Sequence, residues 1–113
     1  MSAKALTWLG NSRDAIRAFP EDVRQIAGFQ PWRVQRGLEP NDWKPMPSVG
    51  AGVQEIRIHT GREHRVLYVA KFAEAVYVVH AFEKRTRRTA TDDLELARQR
   101  LRALLTQRAR RKG

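Results

Sequence analysis

The chain has 113 residues and a net charge of +10, from 22 lysines and arginines against 12 acidic residues. Its 42% hydrophobic content can bury a core, which excludes a disordered polyelectrolyte, and the length suits one domain. The absence of cysteine excludes disulfides, thiolate zinc sites and cysteine nucleophiles. No signal-peptide core or membrane-spanning run is present, so we expect a cytoplasmic protein with no membrane partner. The three histidines and 12 acidic residues form no visible ligand cluster, and we expect no metal or small-molecule cofactor.

The positive charge is concentrated towards the C-terminus. Residues 84–113 contain eleven basic and three acidic residues, a net of +8, whereas the first 83 residues contain eleven and nine, a net of +2. Such a segment attracts anionic partners and makes their binding sensitive to salt. Composition leaves RNA, DNA, an acidic protein and an anionic membrane open as partners.

The first residues predict a strand followed by a short helix. Residues 3–9 alternate weakly between apolar and polar positions and end at the breaker Gly10. Ser12 can cap a helix, and Pro20 ends it because the residue before a proline disfavours the α region.

A second helix and a loop follow. Pro20 suits the first position of this helix, and Gly37 suits its C-terminal end. Pro31 lies inside the segment and predicts a kink or break near Phe29, because proline removes a helical hydrogen bond. Residues 38–52 are rich in proline and glycine and predict an ordered loop without its own strand.

The second half predicts three strands and a long helix. Three segments dense in Val, Ile, Tyr and Phe are separated by hairpin-length turns, which indicates an antiparallel meander: residues 53–59, 64–71 and 75–82. Thr89 can cap a terminal amphipathic helix. We therefore predict an α+β fold with an N-terminal strand, two helices, a three-stranded meander completing a small sheet, and a C-terminal helix. A single domain covers residues 1–107, and residues 108–113 form a frayed basic tail.

Charged residues in apolar strands are the first candidates for a site. Arg57 and Arg65 must each pair with an acid such as Glu55 or face a groove that holds an anion, because an unpaired buried charge is costly. Lys84 and Arg85 end the last strand, where a solvated turn is the alternative. Lys84 is the first choice, since it can stabilise a phosphate or, with a lowered pKa, act as a base.

Three further residues have both a functional and a packing interpretation. His80 shares strand parity with Val76, so it is a core histidine as readily as a catalytic one. Tyr68 falls on the opposite parity from Arg65, and the two can face one cleft only where a bulge or a strand end intervenes. Phe82 can stack on a base or simply pack at a strand end.

Several local strings occur in a fixed order over residues 4–107. They are Trp8-Leu9-Gly10, Phe19-Pro20, Lys44-Pro45, Gly50-Ala51-Gly52-Val53, Glu55-Ile56-Arg57, Arg65-Val66-Leu67-Tyr68 and Val78-Val79-His80-Ala81-Phe82-Glu83-Lys84-Arg85-Thr86. Their order resembles the RelE/ParE toxin superfamily, and specifically its HigB-like, phage-derived branch. The last string, with the helix that follows it, is similar to that branch's His-Ala-Phe-x-Lys-Lys motif.

The resemblance implies a RelE-like fold and the toxin of a type II toxin–antitoxin system. The implied activity is that of a metal-independent endoribonuclease, an mRNA interferase that cleaves messenger RNA on the ribosome. The implied partners are mRNA, the ribosome and a cognate antitoxin, often of the helix-turn-helix type. In-line attack by a ribose 2′-OH needs a base, cations on the phosphate and an acid at the leaving oxygen, which basic side chains can supply.

The resemblance also implies roles for particular residues. The candidate catalytic residues are Lys84, Arg65, Arg57, His80 and Tyr68. The candidate RNA-binding residues are Arg85, Arg87, Arg88, Phe82 and Lys71, and a solvated charge is the alternative for the arginines.

Two other functions fit the same sequence. A ParE-like toxin inhibits DNA gyrase by binding it, without RNA chemistry, and would leave messenger RNA intact while chromosomes break. A non-catalytic nucleic-acid-binding module would show salt-dependent binding and no cleavage.

Overall fold

A computed structural model describes residues 3–112 and shows one five-stranded sheet with helices on both faces. The elements in chain order are β1 (Ala5–Trp8), α1 (Ser12–Arg17), α2 (Glu21–Gln35), β2 (Trp43–Pro45), β3 (Val53–His59), β4 (Glu63–Val69), β5 (Ala75–Lys84) and α3 (Thr91–Lys112). This arrangement confirms the predicted α+β class. None of these helices is long and apolar enough to cross a membrane.

The sheet has the strand order β1-β5-β4-β3-β2. The first strand lies parallel to β5, and the other neighbours are antiparallel, so the predicted meander is confirmed as β3, β4 and β5. The prediction that residues 38–52 lack a strand is wrong, because β2 pairs with β3 there. Pro45 is tolerated because β2 is an edge strand, where one side of the backbone makes no ladder hydrogen bonds.

Two hydrophobic cores lie on opposite faces of the sheet. The α1/α2 face packs under the first two helices, and its buried residues include Ile16, Val23, Ala27, Ile56, Ile58, Val66, Tyr68, Val76 and Val78. The α3 face packs under the last helix, and its buried residues include Val53, Leu67, Val69, Tyr77, Val79, Phe82, Ala97, Leu101 and Leu104. The periodic apolar positions of α3 are thereby accounted for, since Ala97, Leu101 and Leu104 form its buried stripe.

The second helix is continuous, which makes the predicted break near Phe29 wrong. Pro31 lies inside α2 and is buried, so its ring contributes to packing even though it removes one helical hydrogen bond. The neighbouring Gln30 is also buried, and its Oε1 accepts a hydrogen bond from the backbone N–H of Asn41 at 3.0 Å. These contacts hold the helix together across the proline.

The predicted helix caps differ from those observed. Asn11 is the N-cap of α1, and the hydroxyl of Ser12 donates to the Val78 carbonyl at 3.2 Å instead of capping. The last helix begins at Thr91, with the Ala90 carbonyl accepting from the N–H of Leu94, so Thr89 does not cap it. Residues 108–112, expected to form a frayed tail, continue this helix.

Candidate functional site

A β-bulge in β5 determines which side chains share a face. Leu67 pairs with His80, whereas the next residue, Tyr68, pairs with Val78, so Val79 is an extra residue in β5. A bulge of this kind shifts the alternation of one strand by one residue. His80 therefore lies on the α3 face together with Leu67.

The position of the bulge decides two expectations about which side chains share a face of the sheet. His80 does not share a face with Val76, because Val76 lies in the core of the α1/α2 face. The bulge is in β5 and leaves the alternation of β4 intact, so Tyr68 and Arg65 stay on opposite faces. Tyr68 is 1% exposed and belongs to the apolar core, and burial raises its pKa. The structure therefore does not bring Tyr68 to the basic residues.

Basic residues gather at one end of the α3 face around a buried acid. Glu55 in β3 is fully buried, and its Oε1 lies 3.4 Å from Nε of Arg65 and 3.8 Å from Nζ of Lys44. Among the described residues, neither oxygen of this carboxylate has a hydrogen-bond partner that meets normal geometry. Arg57 lies opposite Arg65 in the β3–β4 register, so the same end of the sheet holds three cations.

The side chain of Arg65 is held rigidly. It is 4% exposed, and its Nη2 donates to Glu63 at 3.1 Å while its Nη1 donates to the His64 carbonyl at 3.0 Å. With Glu55 beside Nε, two carboxylates offset its charge. A guanidinium fixed in this way keeps its position when a ligand arrives, so little reorganisation is needed.

Lys84 ends β5 opposite Glu63 and is partly buried. Burial lowers the pKa of its ammonium group, and the positive charges of Arg65, Lys44 and Arg57 lower it further, while Glu55 opposes the change. These charged groups lie close enough to Lys84 for their electrostatic interactions to change its pKa. The ammonium group of Lys84 therefore loses its proton more easily than that of an ordinary lysine.

Two adjoining cavities open at this end of the sheet, with volumes of about 340 and 370 Å³. Both are lined by Lys84, Arg85 and Thr86; Phe82 and Asp93 line the first, and Glu63, Arg65 and Arg87 line the second. We call this surface the basic groove. It is open to solvent.

His80 is buried behind the groove with both ring nitrogens engaged. Its Nε2 lies 2.7 Å from Oδ1 of Asp93 on α3, and its Nδ1 lies 3.3 Å from Nη1 of Arg100. Since an arginine only donates, Nδ1 is the acceptor and Nε2 carries the proton that Asp93 accepts. Burial lowers the pKa of His80, Asp93 opposes this, and Arg100 adds to it. The contacts make His80 a tie between β5 and α3.

The remaining predicted residues are dispersed. Phe82 is 7% exposed and stacks on His80 with ring centroids 5.1 Å apart, so only its edge reaches the basic groove. Arg87 and Arg88 are exposed in the segment that joins β5 to α3, as is Arg85 at the end of β5. Lys71 lies beyond the opposite end of β4, roughly 25 Å along the strand from the groove.

Three residues of the site were not among the sequence candidates. Glu55 could have been found as the one acid inside an apolar β segment, where it had been named only as a partner for the arginines. Lys44 belongs to the unforeseen strand β2. Asp93 looked like an ordinary first-turn helix acid, and sequence spacing carries no signal that it reaches His80.

The fold and the basic groove define a small α+β protein with a fixed cationic cluster at one end of its sheet. Residues 14–102 match the family described as Phage derived protein Gp49-like (DUF891), and the chain belongs to this family. The family is toxin-like and occurs in toxin–antitoxin systems, which implies an antitoxin as partner. No curated protein matches the chain.

Proposed function

We propose that this chain is a HigB-like toxin of the RelE/ParE superfamily that cleaves messenger RNA on the ribosome as a metal-independent endoribonuclease. The observation that carries the proposal is the placement of Arg65 and Lys84 near the buried Glu55, beside an open basic groove. Arg57 adds positive charge nearby, with its Nε 3.9 Å from Oδ1 of Asp42. Membership of a toxin-like family supports it.

The groove suits a phosphodiester in size and charge. A backbone phosphate seated between Lys84 and Arg65 meets one fixed guanidinium, and Lys84 becomes a second cation beside it once it has accepted a proton. The pentacoordinate phosphorane gains negative charge in the transition state, and cations already in place stabilise it without reorganising. The exposed Arg85 and Arg87 hold neighbouring phosphates and add a salt-dependent contribution to binding.

The reaction begins with attack of a ribose 2′-oxygen on the adjacent phosphorus. The bond from that oxygen to phosphorus forms, the bond from phosphorus to the 5′ oxygen breaks, and a 2′,3′-cyclic phosphate and a 5′-OH result. Lys84 in its neutral form accepts the proton of the 2′-OH, for which its lowered pKa is favourable. Water in the open groove protonates the leaving 5′ oxygen.

His80 and Tyr68 have no direct part in this scheme. Both ring nitrogens of His80 are occupied, and Tyr68 lies in the core of the opposite face. His80 positions Phe82 and the start of α3, which form one wall of the basic groove. Its removal should weaken activity less than removal of Lys84.

The test is induction of the untagged protein in a sensitised bacterial host, followed within minutes by mapping of new 5′ ends on messenger RNA. The wild type should arrest growth and cut within translated frames. The double variant Lys84→Ala, Arg65→Ala should lose arrest and cuts while remaining folded by circular dichroism. Lys84→Ala alone should slow cleavage roughly 100- to 1000-fold, as when one transition-state donor is lost.

The control is Arg13→Ala, which removes an exposed positive charge from α1, far from the groove. It should leave both arrest and cuts unchanged. Retained toxicity in the folded double variant would contradict the site. Arrest with intact messenger RNA and broken chromosomes would instead favour gyrase inhibition, and salt-dependent RNA binding without arrest would favour a binding module.

A further inference from the structure

The outer side of α2 carries an aromatic patch that the fold leaves uncovered. Phe29 and Trp32 are 47% and 43% exposed, and their rings stack with centroids 5.6 Å apart. The guanidinium carbon of Arg36 lies 3.8 Å from the centre of the Trp32 ring. Trp and Arg are the residue types most enriched at the energetic centres of protein interfaces.

Charges on the same helix are arranged symmetrically about this patch. Asp22, Phe29 and Arg36 are spaced by seven residues, which is two helical turns, so they lie along one stripe with the phenylalanine midway. The backbone positions of Asp22 and Arg36 each lie about 10 Å from that of Phe29 along the helix axis, on opposite sides of it. The Arg36 side chain reaches back over the Trp32 ring. A second copy of α2 running antiparallel therefore sets Asp22 of each copy against Arg36 of the other.

A glycine in the middle of α2 fits the same arrangement. Gly28 is exposed, and among the described residues nothing lies within 4 Å of the position a Cβ would take. Glycine weakens a helix interior, and neither packing nor backbone geometry within this chain requires it there. Beside Trp32, it leaves a shallow hole into which the Trp32 ring of a second copy can enter.

The helix that carries this stripe holds little of the chain's excess charge. Residues 21–36 contain two acids and three arginines, a net of +1, whereas residues 84–113 have a net of +8. Two copies can therefore approach through α2 without bringing their basic segments together. A contact through the basic segments would instead set like charges against each other.

We infer that two copies of this chain associate through an antiparallel pairing of their α2 helices, centred on Phe29, with Asp22 and Arg36 paired across the axis. The contact is isologous, because the same residues serve on both sides. One helix pair with roughly 100 Å² from each half-exposed ring buries less than a standard interface of about 1,600 Å². The dimer is therefore weak, with a dissociation constant in the micromolar range or above.

The experiment is sedimentation velocity of the purified chain from roughly micromolar to millimolar concentration. The wild type should move from monomer to dimer across this range. Arg36→Asp and Asp22→Arg should each weaken dimerisation at least about tenfold, since each places like charges together twice. The double variant Asp22→Arg, Arg36→Asp should recover to within about threefold of the wild type, and Trp32→Ala should remain monomeric.

Two matched controls separate the interface from general effects. Arg102→Asp makes the same charge change on the exposed side of α3, and Asp92→Arg removes an acid from the first turn of α3 as Asp22→Arg does from α2. Both should dimerise like the wild type. A wild type that stays monomeric throughout would overturn the inference, and so would a folded charge-swap variant that fails to recover.

Discussion

The two faces of the sheet are made by alternate residues of the same strands, yet they differ in character. The α1/α2 face is mostly apolar where the two helices cover it, with residues such as Ile56 and Val66 almost fully buried, and His64 is a buried polar exception that packs against Phe19. The α3 face is apolar only beneath its helix, and beyond it are Glu55 and Arg65. Charge is thus concentrated where one face lacks a covering helix.

The difference shows how a small domain can carry a site without losing its core. One face supplies packing, and the other shares its area between packing and a charged cluster. Buried charges are costly unless they are paired, and here Glu55 is set against Arg65 and Lys44. The comparison therefore predicts that substitutions on the α1/α2 face change stability alone, whereas those at the charged cluster also change activity and local pKa values.

The largest stability effect is expected at Tyr68. Tyr68→Ala should lower the free energy of unfolding by about 3–5 kcal/mol, because it opens a cavity in the α1/α2 core. Tyr68→Phe should keep both the core and the growth arrest. Denaturant unfolding and the induction assay measure the two effects. A stable Tyr68→Phe variant without toxicity would contradict the claim that the α1/α2 face supplies packing only.

Glu55→Gln should be the next largest change. It leaves the buried Arg65 with one fewer counter-charge and should cost about 3 kcal/mol of unfolding free energy. Because Glu55 raises the pKa of Lys84, that pKa should fall further in the variant, as measured by NMR titration of the Lys84 side chain. Lys44→Ala is the control for stability, since its half-exposed ammonium group contributes under about 1 kcal/mol. Because Lys44 lowers the pKa of Lys84, this variant should raise that pKa instead. An unchanged Lys84 pKa in Glu55→Gln would contradict the cluster.

His80 should make stability fall as the pH falls. Its folded-state pKa lies below the ordinary value of 6.5, so the unfolded chain binds a proton first. The stability from the neutral ring is present above pH 6.5 and is lost as the pH drops through the folded pKa. The difference in unfolding free energy between wild type and His80→Gln, followed across this range, should show that slope. A flat difference would mean that His80 is not the tie between β5 and α3.

His59 should show a smaller effect of the opposite sign. Glu63 and then Asp42, each 2.7 Å from a ring nitrogen, raise its pKa above 6.5. Its stabilising contribution is therefore present below pH 6.5 and is lost as the pH rises through the folded pKa. Solvent screens this exposed group, so the slope should be shallow. Comparing wild type with His59→Gln measures it, and a steeper slope than that of His80 would reverse the ranking.

Much of the fold could be predicted from the sequence because the long elements carry strong local signals. The strand β3 was predicted with its observed bounds, since hydrophobic density and hairpin-length turns define it. The three-residue strand β2 could not be predicted, because its pairing depends on β3 rather than on its own residues. The break predicted from the proline in α2 is absent, because tertiary packing outweighs the tendency of proline to interrupt a helix.

The candidate site could be predicted in its cations but not in its geometry. Arg57, Arg65 and Lys84 were identified because a charged side chain in an apolar strand is costly unless it is paired or binds an anion. The bulge at Val79 could not be predicted. The run Tyr77-Val78-Val79 is apolar throughout, so it shows no alternation that would assign its residues to the two faces of the sheet. The pairing of Asp93 with His80 depends on how α3 lies on the sheet, which spacing alone does not determine.

The parallel pairing of β1 with β5 has a consequence for how the chain folds. Ala5 pairs with Ala75, so β1, which is synthesised first, can enter the sheet only after β5 has been made. The meander can form early from neighbouring segments, whereas this closure must overcome the entropy of a long loop. Lys84 ends β5 and α3 follows it in the chain, so the groove is the last part to be completed. We therefore expect a nascent chain to lack the basic groove until synthesis is nearly finished.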